Sequence, residues 1–191
     1  MRLDAKAFHG LLSDNPIIAA VKDYTGLEKA LASDTHIVFV LFGSITSMDQ
    51  IARQIKDSQK VCMIHLDLVD GLSARDPSVD FIQKYTCADG IISTRPNLVK
   101  KAASSGLLAI QRFFLLDSMA IANIKKQYPD NAACAMEILP GLMPKIIHKL
   151  SQTMSVPIIA GGLINDKEDV VNALAAGACA VSSTNPEVWF L

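Results

Sequence analysis

Val156-Pro157-Ile158-Ile159-Ala160-Gly161-Gly162-Leu163 reads as a buried strand that ends in two glycines. A second short strand, Ala178-Cys179-Ala180-Val181-Ser182-Ser183-Thr184-Asn185, ends in hydroxyls. A helical stretch from Asp166 to Ala176 lies between them. Glycines let a backbone approach an anion closely, and N–H groups at loop and helix starts supply donors. In a (β/α)8 barrel the loops after strands seven and eight commonly build a phosphate site of this kind. The pair therefore predicts a barrel that holds a small phosphorylated ligand.

Working outward, apolar runs alternate with helix-period segments along the whole chain. Strands are expected at Pro16 to Val21, His36 to Phe42, Val61 to Leu68, Gly90 to Ser93, Leu107 to Phe113 and Ala133 to Leu139, before the two quoted above. Helices are expected at Tyr24 to Ala32, Ser47 to Ser58 with Ser47 as N-cap, and from about Asp76, Pro96, Ser118 and Met143. Continuous apolar strands between helices imply a parallel sheet covered on both faces. The eight β/α units favour a compact (β/α)8 TIM barrel, although such barrels typically run to ~250 residues and this chain has 191. An open flavodoxin-like sheet is the alternative, and it leaves strands unexplained. Residues 1–191 read as a single domain, with the amphipathic 1–14 segment capping the barrel bottom.

The net charge of −1 gives no global attraction to nucleic acid or to an anionic membrane. No run approaches the ~18 apolar residues of a membrane span. The N-terminus lacks a secretory h-region, so a cytoplasmic protein is expected. Cys62, Cys87, Cys134 and Cys179 are scattered and form no Cys-x-x-Cys pair. Reduced thiols fit better than a zinc site or a disulfide framework. Dinucleotide, P-loop and nucleophile-elbow motifs are absent. A magnesium ion on Asp67 or Glu137 is chemically allowed, but nothing requires it, and no metal site is expected.

In a barrel the ligand chemistry gathers at the C-terminal strand ends. Those ends carry Lys22 and Asp23, His65 and Asp67, Ser93, Thr94 and Arg95, Gln111 and Arg112, and Glu137. Strand alternation would put His65 and Asp67 on one face, where carboxylates could accept from the hydroxyls of a polyol. Each residue also has a structural reading. His65 could be a satisfied core histidine, Asp67 could hold a loop, and Lys22 could be a solvated charge. Arg95 and Arg112 could form ion pairs, and Gly161-Gly162 could be a plain strand-to-helix turn. Glu137 inside an apolar strand is costly without a partner or a purpose.

Several ordered stretches carry a closer resemblance. They are Pro16-Ile17-Ile18-Ala19-Ala20-Val21-Lys22, Phe39-Val40-Leu41-Phe42-Gly43 and His65-Leu66-Asp67-Leu68-Val69-Asp70-Gly71-Leu72. Ala88 to Arg95, Gln111 to Ser118, Glu137-Ile138-Leu139-Pro140-Gly141 and Pro157 to Ile164 follow in order. Together, from about Asn15 to Trp189, the chain resembles the glycerol-3-phosphate-responsive antiterminator family, the glycerol uptake operon antiterminator regulatory proteins. The resemblance implies a transcription antiterminator. Its effector would be sn-glycerol 3-phosphate, with no cofactor, and its partner the leader mRNA of glycerol-utilisation genes. Carried over, Gly161, Gly162, Ser183 and Thr184 would hold the phosphate. Lys22, Asp67 and Glu137 match family positions at the mouth and, with His65 and Arg112 from the strand ends, are expected to line the glycerol end. Tyr85-Thr86-Cys87 and Tyr128 to Ala133 match the family pattern less clearly.

For RNA, the basic candidates are Lys100-Lys101, Lys125-Lys126 and Lys145 with His148 and Lys149, all on expected outer helices. Any one patch also reads as ordinary solvated helix charge. A homodimer could join two weak patches and raise effective affinity. Two rival readings share the scaffold. One is an enzyme acting on a small phosphorylated triose or polyol, with His65, Asp67 and Glu137 as acid/base groups. The other is a phosphate-binding barrel that serves as a protein-interaction module.

Overall fold

Eight parallel strands pair in chain order, and the last pairs with the first, so the sheet closes on itself. That closure rules out the open-sheet alternative. The strands are β1 Ile17–Val21, β2 Ile37–Val40, β3 Val61–His65, β4 Gly90–Ser93, β5 Leu108–Phe114, β6 Ala135–Leu139, β7 Ile158–Gly161 and β8 Ala180–Ser183. The helices are α1 Ala5–Asp14, α2 Tyr24–Ala32, α3 Met48–Asp57, α4 Asp76–Tyr85, α5 Pro96–Ser104, α6 Ser118–Gln127, α7 Pro144–Ser151 and α8 Lys167–Ala175. A 3-10 helix, Pro186–Phe190, stands where an eighth crossover helix would. This computed structural model describes residues 3–127 and 132–191, without the side chains of 125–127. Among the described residues no helix is long and apolar enough to cross a membrane.

The strands sort their side chains by alternation into two cores. Ile18 and Ala20, Ile37 and Phe39, Val61 and Met63, Ile92, Leu108 and Ile110, Ala135, Ile159 and Ala180 fill the barrel interior. Phe8 and Leu12 of α1 join this interior core, so α1 seals the N-terminal end. The opposite parity, such as Ala19, Val21, Val38 and Val40, packs outward against the helices. Every β1 to β4 position is buried, which is why those strands read as unbroken apolar runs.

Several local expectations differ from the fold; strand two ends at Val40 and not Phe42, and strand six begins at Ala135 and not Ala133. The third strand stops at His65, and Leu66–Leu68 forms a 3-10 turn instead of continuing to Leu68. Ser47 does sit at the N-cap of α3, but its side chain makes no cap bond. Its Oγ accepts from the Ser44 N–H at 3.0 Å, which fastens the β2–α3 loop. All four cysteines are free thiols; Cys62 is buried and the others half-buried. Burial pushes the Cys134 and Cys179 thiols up to about 11 and about 12, so both stay protonated.

Candidate functional site

The floor of the C-terminal mouth is an ion pair built into neighbouring strands. β5 and β6 place Arg112 opposite Glu137. Arg112 Nε donates to Glu137 Oε2 at 2.6 Å, and Ser182 Oγ from β8 donates to Oε1 at 2.6 Å. All three residues are buried. A buried carboxylate this far from water needs such partners, since an unpaired charge there would be costly. Glu137 therefore does have a purpose in its apolar strand. It organises the floor, with both oxygens already accepting. Ser182, quoted above among the hydroxyls but not assigned to the site, shares the inward parity of Ala180 on β8.

His65 and Asp67 do not share a strand face, because the chain leaves the strand between them. His65 keeps the inward parity of Met63 and is 3% exposed, with Nδ1 meeting no partner. Burial, then the positive charge of Arg112, lowers its pKa to about 4, against the opposing pull of Asp67. The ring is thus a neutral imidazole with a free polar atom. Asp67 swings to the end of β4, where it accepts from Ser93 Oγ at 2.7 Å, the Thr94 N–H at 2.7 Å and Thr94 Oγ1 at 2.8 Å. Burial works to raise its pKa, but the Thr94 and Ser93 donors and His65 outweigh it and hold the carboxylate below its usual range. The geometry gives Asp67 the loop-holding role in its own right.

The two quoted loops stand side by side across β7 and β8. The ladder's last rungs are Gly161 with Ser182 and Ala19 with Ser183, so residues 162–164 and Thr184 lie beyond it. Gly162 and Leu163 take consecutive left-handed conformations, φ 71° and φ 63°. Two successive left-handed residues turn the backbone sharply, and for Leu163 this is an uncommon state. Side chains lock the arrangement. Ser183 Oγ donates to the Ile164 carbonyl at 2.6 Å, and Asn185 Nδ2 donates to the Asn165 carbonyl at 2.8 Å. Trp189 Nε1 donates to the Ser183 carbonyl at 2.8 Å, which pins the C-terminal 3-10 helix under the second loop.

Between the loops and the ion-pair floor lies a cavity of about 80 Å³. Ala20, Leu41, Arg112, Glu137 and Ser182 form its floor, and Gly162 to Asn165 with Ser183 and Thr184 form one wall. Such a cavity has a glycine-bearing loop on one side and a cation with a carboxylate below. It suits an anionic head with a hydroxylated tail.

The candidate residues separate by role. Gly162, Ser183, Thr184, Arg112 and Glu137 line this cavity. Gly161 serves packing: a Cβ there would sit 2.6 Å from Ser182 Oγ and 2.7 Å from Glu137 Oε1. The Ser183 hydroxyl is engaged with the Ile164 carbonyl and the Asn185 N–H. Lys22, His65 and Asp67 do not line the mouth cavity: Lys22 lines a neighbouring cleft, Asp67 lines another beside Arg95, and His65 is buried. The start of α8 is occupied by its own carboxylates. Asp166 accepts from the Asp169 N–H, and Asp169 accepts from the Asn165 N–H. That leaves Gly162 to Ile164 of the loop on the cavity lining, with Thr184 the exposed hydroxyl.

Of the basic candidates, Lys145, His148 and Lys149 stand exposed together on α7. Lys101 Nζ pairs with Asp80 at 2.9 Å, and Lys100 is exposed beside it. The side chains of Lys125 and Lys126 lie outside the described residues, as do residues 128–131. Among the described residues no group of three or more His, Cys, Asp or Glu could hold a metal ion.

Residues 17–189 match the family described as glycerol-3-phosphate responsive antiterminator. The chain is 42% identical over 181 residues to YgcP of Escherichia coli (strain K12), covering 95% of each. It also superposes on the crystal structure of the glycerol uptake operon antiterminator regulatory protein from Listeria monocytogenes, at TM-score 0.89 and 35% identity, covering 93% of this chain and 96% of that one. A glycerol uptake operon antiterminator-related protein from Thermotoga maritima superposes at TM-score 0.78 and 29% identity, covering 91% and 96%.

Proposed function

The chain belongs to the glycerol-3-phosphate responsive antiterminator family, and from that premise we propose that it senses sn-glycerol 3-phosphate in the mouth cavity and acts on leader mRNA. The observation that carries this reading is the juxtaposition of the Gly162–Asn165 loop and Thr184 with the buried Arg112–Glu137 pair. The phosphate seats against the loop N–H groups and the Thr184 hydroxyl. The glycerol hydroxyls reach toward Glu137 and Arg112 on the cavity floor.

Ligand then biases the loops toward the RNA-competent arrangement, which requires different affinity for the two states. The α7 face with Lys145, His148 and Lys149 is the favoured RNA contact, in a cytoplasmic protein with no bound cofactor. A phosphorus NMR titration with sn-glycerol 3-phosphate, followed over hours, tests the sensor. Broadening or a shift without a new resonance supports it. A new, protein-dependent resonance makes the barrel an enzyme on a phosphorylated polyol, and an unchanged spectrum removes the ligand.

A further inference from the structure

The loops after β5, β6 and β7 stand side by side on the rim of the mouth. The Leu115 N–H donates to the Leu139 carbonyl at 2.7 Å, and the Gly141 N–H to the Gly162 carbonyl at 3.1 Å, which fastens the three together. This arc carries Phe114, Leu116 and Met119 around the first loop, Leu142 on the second and Leu163 on the third, all exposed. Leu116 is 85% exposed and Met119 70%. Together the five residues expose roughly 600 Å², at the top of the range for the largest apolar patch on a monomer. That is most of the roughly 800 Å² per partner that a stable protein interface buries.

The chemistry of the arc narrows its partner. Segments 115–117, 140–143 and 162–166 contain no lysine or arginine. Lys145 and Lys167 lie past them, in the first turns of α7 and α8. The two acids present are engaged, since Asp117 accepts the Ala120 N–H at 2.8 Å and Asp166 the Asp169 N–H at 2.9 Å. An anionic lipid surface or a nucleic-acid backbone therefore finds no cation within the arc. An apolar face is complementary to itself, and a two-fold contact needs the same patch on both sides. Leu163 adds an independent sign. Its φ of 63° is a costly state for a leucine, and it leaves the side chain 62% exposed. A lone chain gains nothing from that arrangement, whereas a partner would bury it.

We propose that this arc is the face through which two copies of the chain pair as an isologous dimer. Pairing sets two α7 basic faces in one assembly, which raises effective affinity for RNA. It also engages Leu163 of the loop that walls the mouth cavity, so ligand and dimer contact share a loop. This link to ligand rests on the reading of the mouth as the seat of sn-glycerol 3-phosphate.

Sedimentation equilibrium of the full chain tests the dimer, on the wild type and on Leu116→Glu/Met119→Glu. Neither residue lines the mouth cavity, and circular dichroism checks that the variant folds. The wild type should be dimeric at about 10 μM and above, and the double variant should dimerise at least about a hundredfold more weakly, because it sets like charges across the two-fold. Saturating sn-glycerol 3-phosphate should tighten the wild-type dimer at least about threefold. A wild type that stays monomeric to about 100 μM overturns the dimer. Cosedimentation of that monomer with phosphatidylglycerol vesicles would assign the arc to a membrane instead. A dimer that survives in the folded variant overturns the face. If the dimer is lost in the variant while calorimetry finds no sn-glycerol 3-phosphate binding, the mouth reading falls and the interface stands. If the ligand binds without changing dimer strength, the shared-loop link is overturned.

Discussion

Arg112 and Glu137 meet at 2.6 Å with side-chain exposures of 7% and 1%, so the mouth's floor is an ion pair sealed from water. Such a pair is weak evidence of net stability, because both charges were desolvated to make it, yet breaking it is costly. Glu137→Leu strands the guanidinium and should destabilise the barrel by about 3–5 kcal/mol. For a chain of this size that lowers Tm by roughly 6–20 °C. The double variant Arg112→Met/Glu137→Leu should recover most of the loss while losing ligand. Thermal unfolding of the three proteins decides it; a double variant no more stable than the single one would contradict the ion-pair account.

His65 makes stability depend on pH. The folded imidazole has its pKa lowered from 6.5 to about 4 by burial and by Arg112, while Asp67 opposes. A group depressed in this way binds its proton in the unfolded chain first. Its contribution is full above about pH 6.5 and is lost as pH falls toward about 4, at about 1.4 kcal/mol per pH unit. Asp67, also depressed, adds loss of the same sign at still lower pH. Urea unfolding at about pH 7 and about pH 5 should show this fall in the wild type and a much flatter response in His65→Gln. Equal slopes would mean that His65 is not held neutral.

Much of this was legible in the chain because the signals were local. β4 and the start of α5 fall where Gly90, Ser93 and Pro96 put them, since a proline at the first helical turn and a short apolar run are read within a few residues. The end of β3 was not legible. Leu66 and Leu68 continue the apolar run, and only the pull of Asp67 toward Ser93 and Thr94, 26 and 27 residues away, turns the chain. Two adjacent glycines look like one anion loop, and the packing demand of Glu137 on the neighbouring strand at Gly161 could not be read locally. Lys22 reads as a mouth residue from its place after strand one and from the family resemblance, yet it lines the cleft beside α2.

The RNA reading predicts a difference between basic patches. Lys101 is already neutralised by Asp80, whereas Lys145 and Lys149 stand exposed with His148. Lys145→Glu/Lys149→Glu should weaken leader-RNA binding at least about tenfold and flatten its salt dependence by roughly 1–2 units of slope. Lys101→Glu alone should change it less. Ligand affinity should be untouched in both, as none of these residues lines the mouth cavity. Filter binding across a salt series reads RNA affinity and slope, calorimetry reads ligand affinity, and equal effects of the two changes would move the RNA face away from α7.

The adjacent glycines should fail in opposite ways. At Gly161 an added methyl meets Ser182 Oγ and Glu137 Oε1 at 2.6 and 2.7 Å, and both belong to the buried network. Gly161→Ala should therefore cost about 1–3 kcal/mol through overpacking and disturb the floor. Gly162 faces Leu139 Cδ2 at 3.1 Å and takes φ 71°. Asp tolerates that conformation better than most residues. Gly162→Asp should thus leave the fold largely intact while setting a negative charge where the phosphate seats. It should lower sn-glycerol 3-phosphate affinity at least about a hundredfold, or about 2.7 kcal/mol. Calorimetry and thermal unfolding on both variants separate the cases. If Gly162→Asp binds like the wild type, the loop is a turn and not an anion cradle. If Gly161→Ala is as stable as the wild type, the floor has slack that its hydrogen bonds do not suggest.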